Sequence, residues 1–160
     1  MKNIYTLLSI LIISLTVYLS FDDLMPSSVK SIESTGFSFD NALNHLKVIS
    51  KEPHYTGSKY HQDVQNYIVN ELKKMGLETE IQNQVVLSSR RVGTNAANII
   101  GTIKGSRKGK SLVLLTHYDS SAHSSFGASD AGSGVVTILE GFRAFLLNNN
   151  TPVNDIHLVF

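Results

Sequence analysis

Apolar residues change rhythm several times along this chain. No charged residue occurs from Ile4 to Phe21, and Leu7 to Leu15 is nearly all apolar. At about 1.5 Å per residue these 18 or so positions make a helix of roughly 27 Å, the depth of a bilayer core. A Ser-rich stretch with Pro26 follows and reads as a linker over residues 24–37. From Asp40, Ala42, Leu43, Leu46 and Ile49 recur at helical spacing. Pro53 and Gly57 punctuate the next loop, and Ser58 is the expected N-cap of a second helix with Val64, Tyr67, Ile68, Leu72 and Met75 on one face. Gly76 closes that helix as a C′ residue.

After Gly76 the period shortens. Leu77, Thr79 and Ile81 alternate with polar residues, Val85 to Leu87 continue the β character, and Asn98 to Ile103 predicts another strand. Lys104 to Lys110 reads as a solvated hairpin or connecting loop. Ser111 to Thr116 is a continuous apolar run, expected to be a strand buried on both faces. Val135, Val136, Ile138, Leu139, Phe142, Phe145 and Leu146 then predict an amphipathic helix stopped by Asn148 to Pro152, and Ile156 to Phe160 predicts the next buried strand. Strand, loop, helix and strand make a βαβ unit. The class is therefore α/β: a mixed, largely parallel sheet with flanking helices, preceded by one N-terminal transmembrane helix.

Composition narrows the chemistry. The 160 residues are 42% hydrophobic and 17% charged, enough to bury a core, and 14 Lys plus Arg against 13 Asp plus Glu leave a net charge of +1. Nothing in that balance suggests a nucleic-acid partner. The absence of cysteine excludes a disulfide scaffold, a thiolate metal site and a cysteine nucleophile. Lys2 precedes the apolar segment and Asp22 and Asp23 follow it, so the positive-inside rule keeps the N-terminus cytoplasmic and translocates the rest. The expected organisation is an uncleaved anchor over residues 1–23, the linker, and a domain over residues 38–160. A cleaved signal would release a secreted product, but Val17 to Phe21 lacks the small residues of a cleavage site. The segment is too long and too purely apolar for an ordinary core helix.

Ligands of open α/β sheets bind beyond the carboxyl ends of the strands. That rim carries His117-Tyr118-Asp119 at the end of one strand and Gly127-Ala128-Ser129-Asp130-Ala131-Gly132-Ser133-Gly134 before the next helix. An imidazole and a carboxylate are the donors zinc prefers when thiolates are missing. Asp119 is spaced to accept the second ring N–H of His117 and fix its tautomer. Either motif alone is common, His-x-Asp as a surface triplet and Asp in a glycine-rich loop as a turn residue; their combination at one rim is what points to metal. No Gly-Lys-Ser/Thr ending makes the glycine-rich loop a phosphate cradle, and no Gly-x-Ser-x-Gly elbow makes a nucleophile of Ser120, Ser121, Ser124 or Ser125. His45 and His61 read as residues on the polar sides of helices, His157 as a strand residue, His54 as loop packing, and His123 as a residue of the loop between the two motifs, with lining of the cleft as its alternative.

These two motifs, Leu114 to Ser120 and Gly127 to Val135, closely resemble the co-catalytic di-zinc metallo-aminopeptidase family, above all its membrane-bound vacuolar and endoplasmic-reticulum branch. His54 to Gly57 resembles the family's histidine-proline, glycine-serine loop, and Asn98 to Gly101 its strand before the metal strand. The resemblance covers residues 39–160. It implies the zinc exopeptidase fold, two zinc ions, a peptide substrate, His117 as a terminal ligand, Asp130 as the carboxylate bridging both ions, and Asp119 as the support of His117. The family's general-base glutamate and remaining ligands have no counterpart in this sequence. The chain is therefore expected to be an N-terminal part of such an exopeptidase, inactive and poorly soluble alone, with an open sheet edge. Two other readings stay open: a glutaminyl-cyclase-like aminoacyltransferase and a non-catalytic interaction relic of the same fold.

Overall fold

The computed structural model describes residues 2–24, 36–87, 93–122 and 125–160. The chain divides into two units, residues 1–30 and 31–160. The first consists of helix α1 (Lys2–Leu24), whose stretch Ile4–Phe21 has a mean hydropathy of 2.1 and is long and apolar enough to cross a membrane. Most of the predicted linker lies outside the described residues.

In the second unit, α2 (Phe39–Ile49) and α3 (Lys59–Lys74) start where serine can cap them. Ser38 Oγ accepts the Asn41 N–H at 3.2 Å and Ser58 Oγ the His61 N–H at 3.2 Å, satisfying donors that a helix N-terminus leaves unpaired. Val64, Ile68 and Leu72 on α3 are fully buried, as their spacing predicts. Beyond α3, Gly76 turns with φ +80, and β1 (Glu78–Leu87) begins almost at once. Strand β2 runs over Gly93–Ile103, five residues earlier than the Asn98 start expected from apolar content. Its first half is polar and small, and pairing with β1, from Glu78↔Thr102 to Leu87↔Gly93, holds it extended.

The remaining elements are β3 (Leu112–Leu115), α4 (Ser133–Leu147) and β4 (Ile156–Val159). The sheet order is β1-β2-β4-β3, and the sheet is mixed: β3 and β4 are parallel, the other two pairings antiparallel. The parallel pair is the one joined through a helix, since a crossover is needed to bring the chain back in the same direction. Residues 104–110 form a connecting loop and no hairpin, because β4 lies between β2 and β3. Asp155 anchors that loop through the Gly105 N–H at 2.8 Å and Lys104 Nζ at 3.1 Å.

One expectation fails here. Strand β3 is not buried on both faces: Leu112, Val113 and Leu115 are exposed, Leu115 by 73%. The cause is topology. Strand β3 is the sheet's edge and pairs with β4 alone, in register Leu112↔Ile156 to Leu115↔Val159. One side of the sheet carries the core, with Ile99 and Leu158 fully buried against the helices. Val113 and Leu115 point to the other side.

Candidate metal centre

Backbone register places the site. Thr116 N–H donates to Val159 O at 3.1 Å, extending the β3–β4 ladder one step, and the chain then leaves the sheet at His117. Helix α4 starts directly against this point. A Cβ on Gly134 would lie 2.5 Å from Thr116 Oγ1, so only glycine allows the helix to approach the strand end so closely. The turn Ala128–Gly132 precedes the helix, opened by Gly127 at φ +70 and closed by the Gly132 N–H on Gly127 O at 2.8 Å. The loop of His117 and the turn of Asp130 are thereby brought to one rim.

There the two predicted ligands meet. His117 Nε2 lies 2.9 Å from Asp130 Oδ1, and His117 Nδ1 lies 3.0 Å from Asp119 Oδ1. Partial burial pulls the His117 pKa down, but the hydrogen bonds to Asp119 and Asp130 outweigh it and raise the pKa above its ordinary value. The physical reason is that each ring nitrogen faces an acceptor. A neutral imidazole carries one N–H and can satisfy only one of them; the imidazolium satisfies both. A cation at Nε2 would answer the same need as that second proton, with Asp119 holding the opposite nitrogen as donor.

The donor set fits zinc in kind: one imidazole nitrogen and one carboxylate oxygen, no thiolate, with the Asp130 side chain exposed by 87%. It does not fit in number. Among the described residues no group of three or more His, Asp or Glu side chains is placed to hold a metal ion. The predicted pair is brought together, and nothing described completes it.

Three features near the site escape the reading of the sequence. His61, expected on the polar side of α3, is half-buried and stacked on Tyr118, with ring centroids 4.7 Å apart. Burial lowers its pKa, and nearby Asp119 opposes that effect. The signal was present, since His61, Gln65, Ile68 and Leu72 share one helical face. Gln65 Nε2 donates to Tyr118 Oη at 3.2 Å, and Tyr118 Oη donates to Ala97 O at 3.1 Å. Tyr118 is thus gripped from α3 and β2. Its neighbours His117 and Asp119 are free to turn outward into an open cavity of ≈ 540 Å³, which His61, Asn98 and Leu115 also line.

Of the other histidines, His45 is half-buried, off the polar side expected of it, with Nδ1 2.6 Å from Tyr67 Oη. His157 Nδ1 lies 2.9 Å from Thr102 Oγ1 within the sheet. His54 is buried loop packing, as expected. His123 lies outside the described residues.

Residues 98–160 match the model of peptidase family M28. The chain is 30% identical over 140 residues to the vacuolar membrane protease of Schizosaccharomyces japonicus, an alignment spanning 80% of this chain and 16% of that protein. Among solved structures, a leucine aminopeptidase precursor from Bacteroides thetaiotaomicron superposes with a TM-score of 0.66 at 27% identity, covering 78% of this chain and 47% of that one. A Bacteroides thetaiotaomicron glutaminyl cyclase bound to N-acetylhistamine gives the same TM-score and identity, covering 78% and 46%. The chain thus spans about a sixth of the length of the curated relative and about half of the solved chains. Over residues 98–160, this chain is similar to peptidase family M28.

Proposed function

We propose that this chain contributes part of the metal centre of a membrane-anchored, zinc-dependent exopeptidase of aminopeptidase type. The observation that carries the proposal is the convergence of His117 Nε2 and Asp130 Oδ1 at 2.9 Å inside the segment that matches the peptidase family. In this reading His117 is a terminal ligand, Asp130 bridges two ions through its two oxygens, and Asp119 holds the His117 tautomer. Bound zinc would supply an activated water for attack on a peptide carbonyl. Residues 1–23 are the anchor, residues 24–37 the linker and residues 38–160 the peptidase portion. The N-terminus faces the cytoplasm and the domain lies beyond the membrane. The names of the curated relatives and the apolar helix α1 support that placement.

Two donors hold zinc weakly, and among the described residues no glutamate stands at the site as general base. Glu140, on the adjacent helix, is buried against Arg143. The chain by itself is therefore expected to bind zinc with a Kd weaker than about 1 µM and to hydrolyse no peptide. Calorimetric titration with zinc tests the reading. Weak binding that disappears in both His117→Ala and Asp130→Ala supports it; binding indifferent to both substitutions sinks it.

The likeness to the Bacteroides thetaiotaomicron glutaminyl cyclase supports a second reading, intramolecular aminoacyl transfer at the same rim. Incubation of a full-length parent protein with zinc and peptides bearing N-terminal Leu or Gln separates the two. Release of the free amino acid favours the peptidase, whereas conversion of the Gln peptide with loss of ammonia favours the cyclase.

A further inference from the structure

His117 and Asp130 lie thirteen positions apart, and the connecting loop does not itself fix the distance between their side chains. We propose that His54 does: its buried imidazole is a positioning residue, the brace that seats the turn of Asp130 against the loop of His117. This rests on the metal-site reading above.

The backbone of His54 is tied to the first loop. Its N–H donates to Ser120 Oγ at 2.8 Å, and its carbonyl accepts the Ser120 N–H at 3.3 Å. The ring is turned by Nδ1, which lies 3.0 Å from Glu52 O, and Tyr60 meets it edge-on at 6.4 Å between centroids. The other side of the ring lies against the second loop. A Cβ on Gly127 would sit 2.9 Å from His54 Cε1, 3.2 Å from His54 Nε2 and 2.9 Å from Ser120 Cβ. Gly127 thus rests in a corner formed by the imidazole and Ser120 together. Gly127 is also the left-handed corner whose carbonyl closes the turn of Asp130, so its position sets where that carboxylate points.

The ring has no freedom to yield. His54 is fully buried, and Nε2 has no hydrogen-bond partner among the described residues. An orphaned polar atom in a core is costly. Such a ring serves by its shape and its place against Gly127.

The test uses the full 160-residue chain in detergent micelles and two readouts. One is the pair of hydrogen-bonded ring N–H signals of His117 by NMR without metal; the other is cobalt affinity by visible absorption. His54→Leu keeps the volume and is expected to keep both readouts. His54→Ser removes the ring and is expected to lose the Nε2–H signal and to weaken cobalt binding by about tenfold or more, the range seen when groups behind a ligand are removed. His54→Val replaces the serine variant if that one does not fold. A folded ringless variant with both signals and wild-type affinity overturns the proposal, as does a leucine variant as impaired as the ringless one. If the wild-type chain binds no cobalt, the metal reading falls, and the His117 signals still decide the role of His54.

Discussion

Two carboxylates on either side of the start of α4 have opposite fates. Glu140, in the helix, is fully buried and saturated: Oε1 accepts the Ser38 N–H at 2.7 Å and an Arg143 guanidinium N–H, while Oε2 accepts Arg143 Nε at 2.6 Å. Arg143 Nη2 also donates to Gly36 O at 2.9 Å, so the pair pins the approach to α2 onto α4. Asp130, just before the helix, is exposed and shares one oxygen with a single imidazole. The difference separates a carboxylate that holds the fold from one that remains able to bind something. Burial with every lone pair occupied leaves no capacity for a ligand, whereas exposure beside a fixed histidine does.

The contrast predicts a graded set of outcomes. Glu140→Ala leaves the half-buried Arg143 guanidinium without its carboxylate and the Ser38 N–H unpaired, and should destabilise the chain by about 3 kcal/mol in chemical denaturation. The pH dependence follows in sign. Burial pushes the Glu140 pKa up, but the bonds from Arg143 and Ser38 outweigh it and hold it below the usual carboxylate value. Its stabilisation is complete above the unfolded carboxylate range and is lost as pH falls through the depressed folded value. Melting temperatures of Glu140→Gln should accordingly fall less steeply with acid than those of the wild type.

Smaller effects belong to the rim. Asp119→Asn should lower zinc affinity by about ten- to hundredfold while shifting stability by no more than about 0.5 kcal/mol, read from paired calorimetry and melts. Tyr118→Phe leaves Gln65 and the Ala97 carbonyl without their shared partner and should cost about 1 kcal/mol. Asp130→Asn should change stability least, within about 0.5 kcal/mol. A large loss there would make Asp130 a second Glu140 and erase the distinction.

Much of this arrangement was legible beforehand because it depends on local signals. Ser58 as a cap, the buried face of α3, and the two loops at one rim all follow from spacing and turn chemistry. What escaped depends on partners distant in sequence. The apolar run of β3 reads as interior, yet its exposure is decided by which strands flank it. The early start of β2 comes from its ladder with β1. His61 looks polar until Tyr118, 57 residues further along the numbering, supplies an aromatic face. Glu140 and Arg143 stand at i,i+3 spacing on α4, and the segment at Gly36 to Ser38 bonds to both, with Glu140 fully buried. At the site, His117, Asp119 and Asp130 converge as expected, because a parallel strand pair and its crossover helix leave the chain no other rim for both loops.

X-ray absorption at the zinc edge, on the zinc-loaded chain, addresses the convergence of His117 and Asp130 most directly. Nitrogen and oxygen neighbours at about 2.0–2.2 Å with an imidazole scattering signature that vanishes in His117→Ala are the predicted result. A spectrum unchanged by that substitution would place the metal elsewhere and contradict the account.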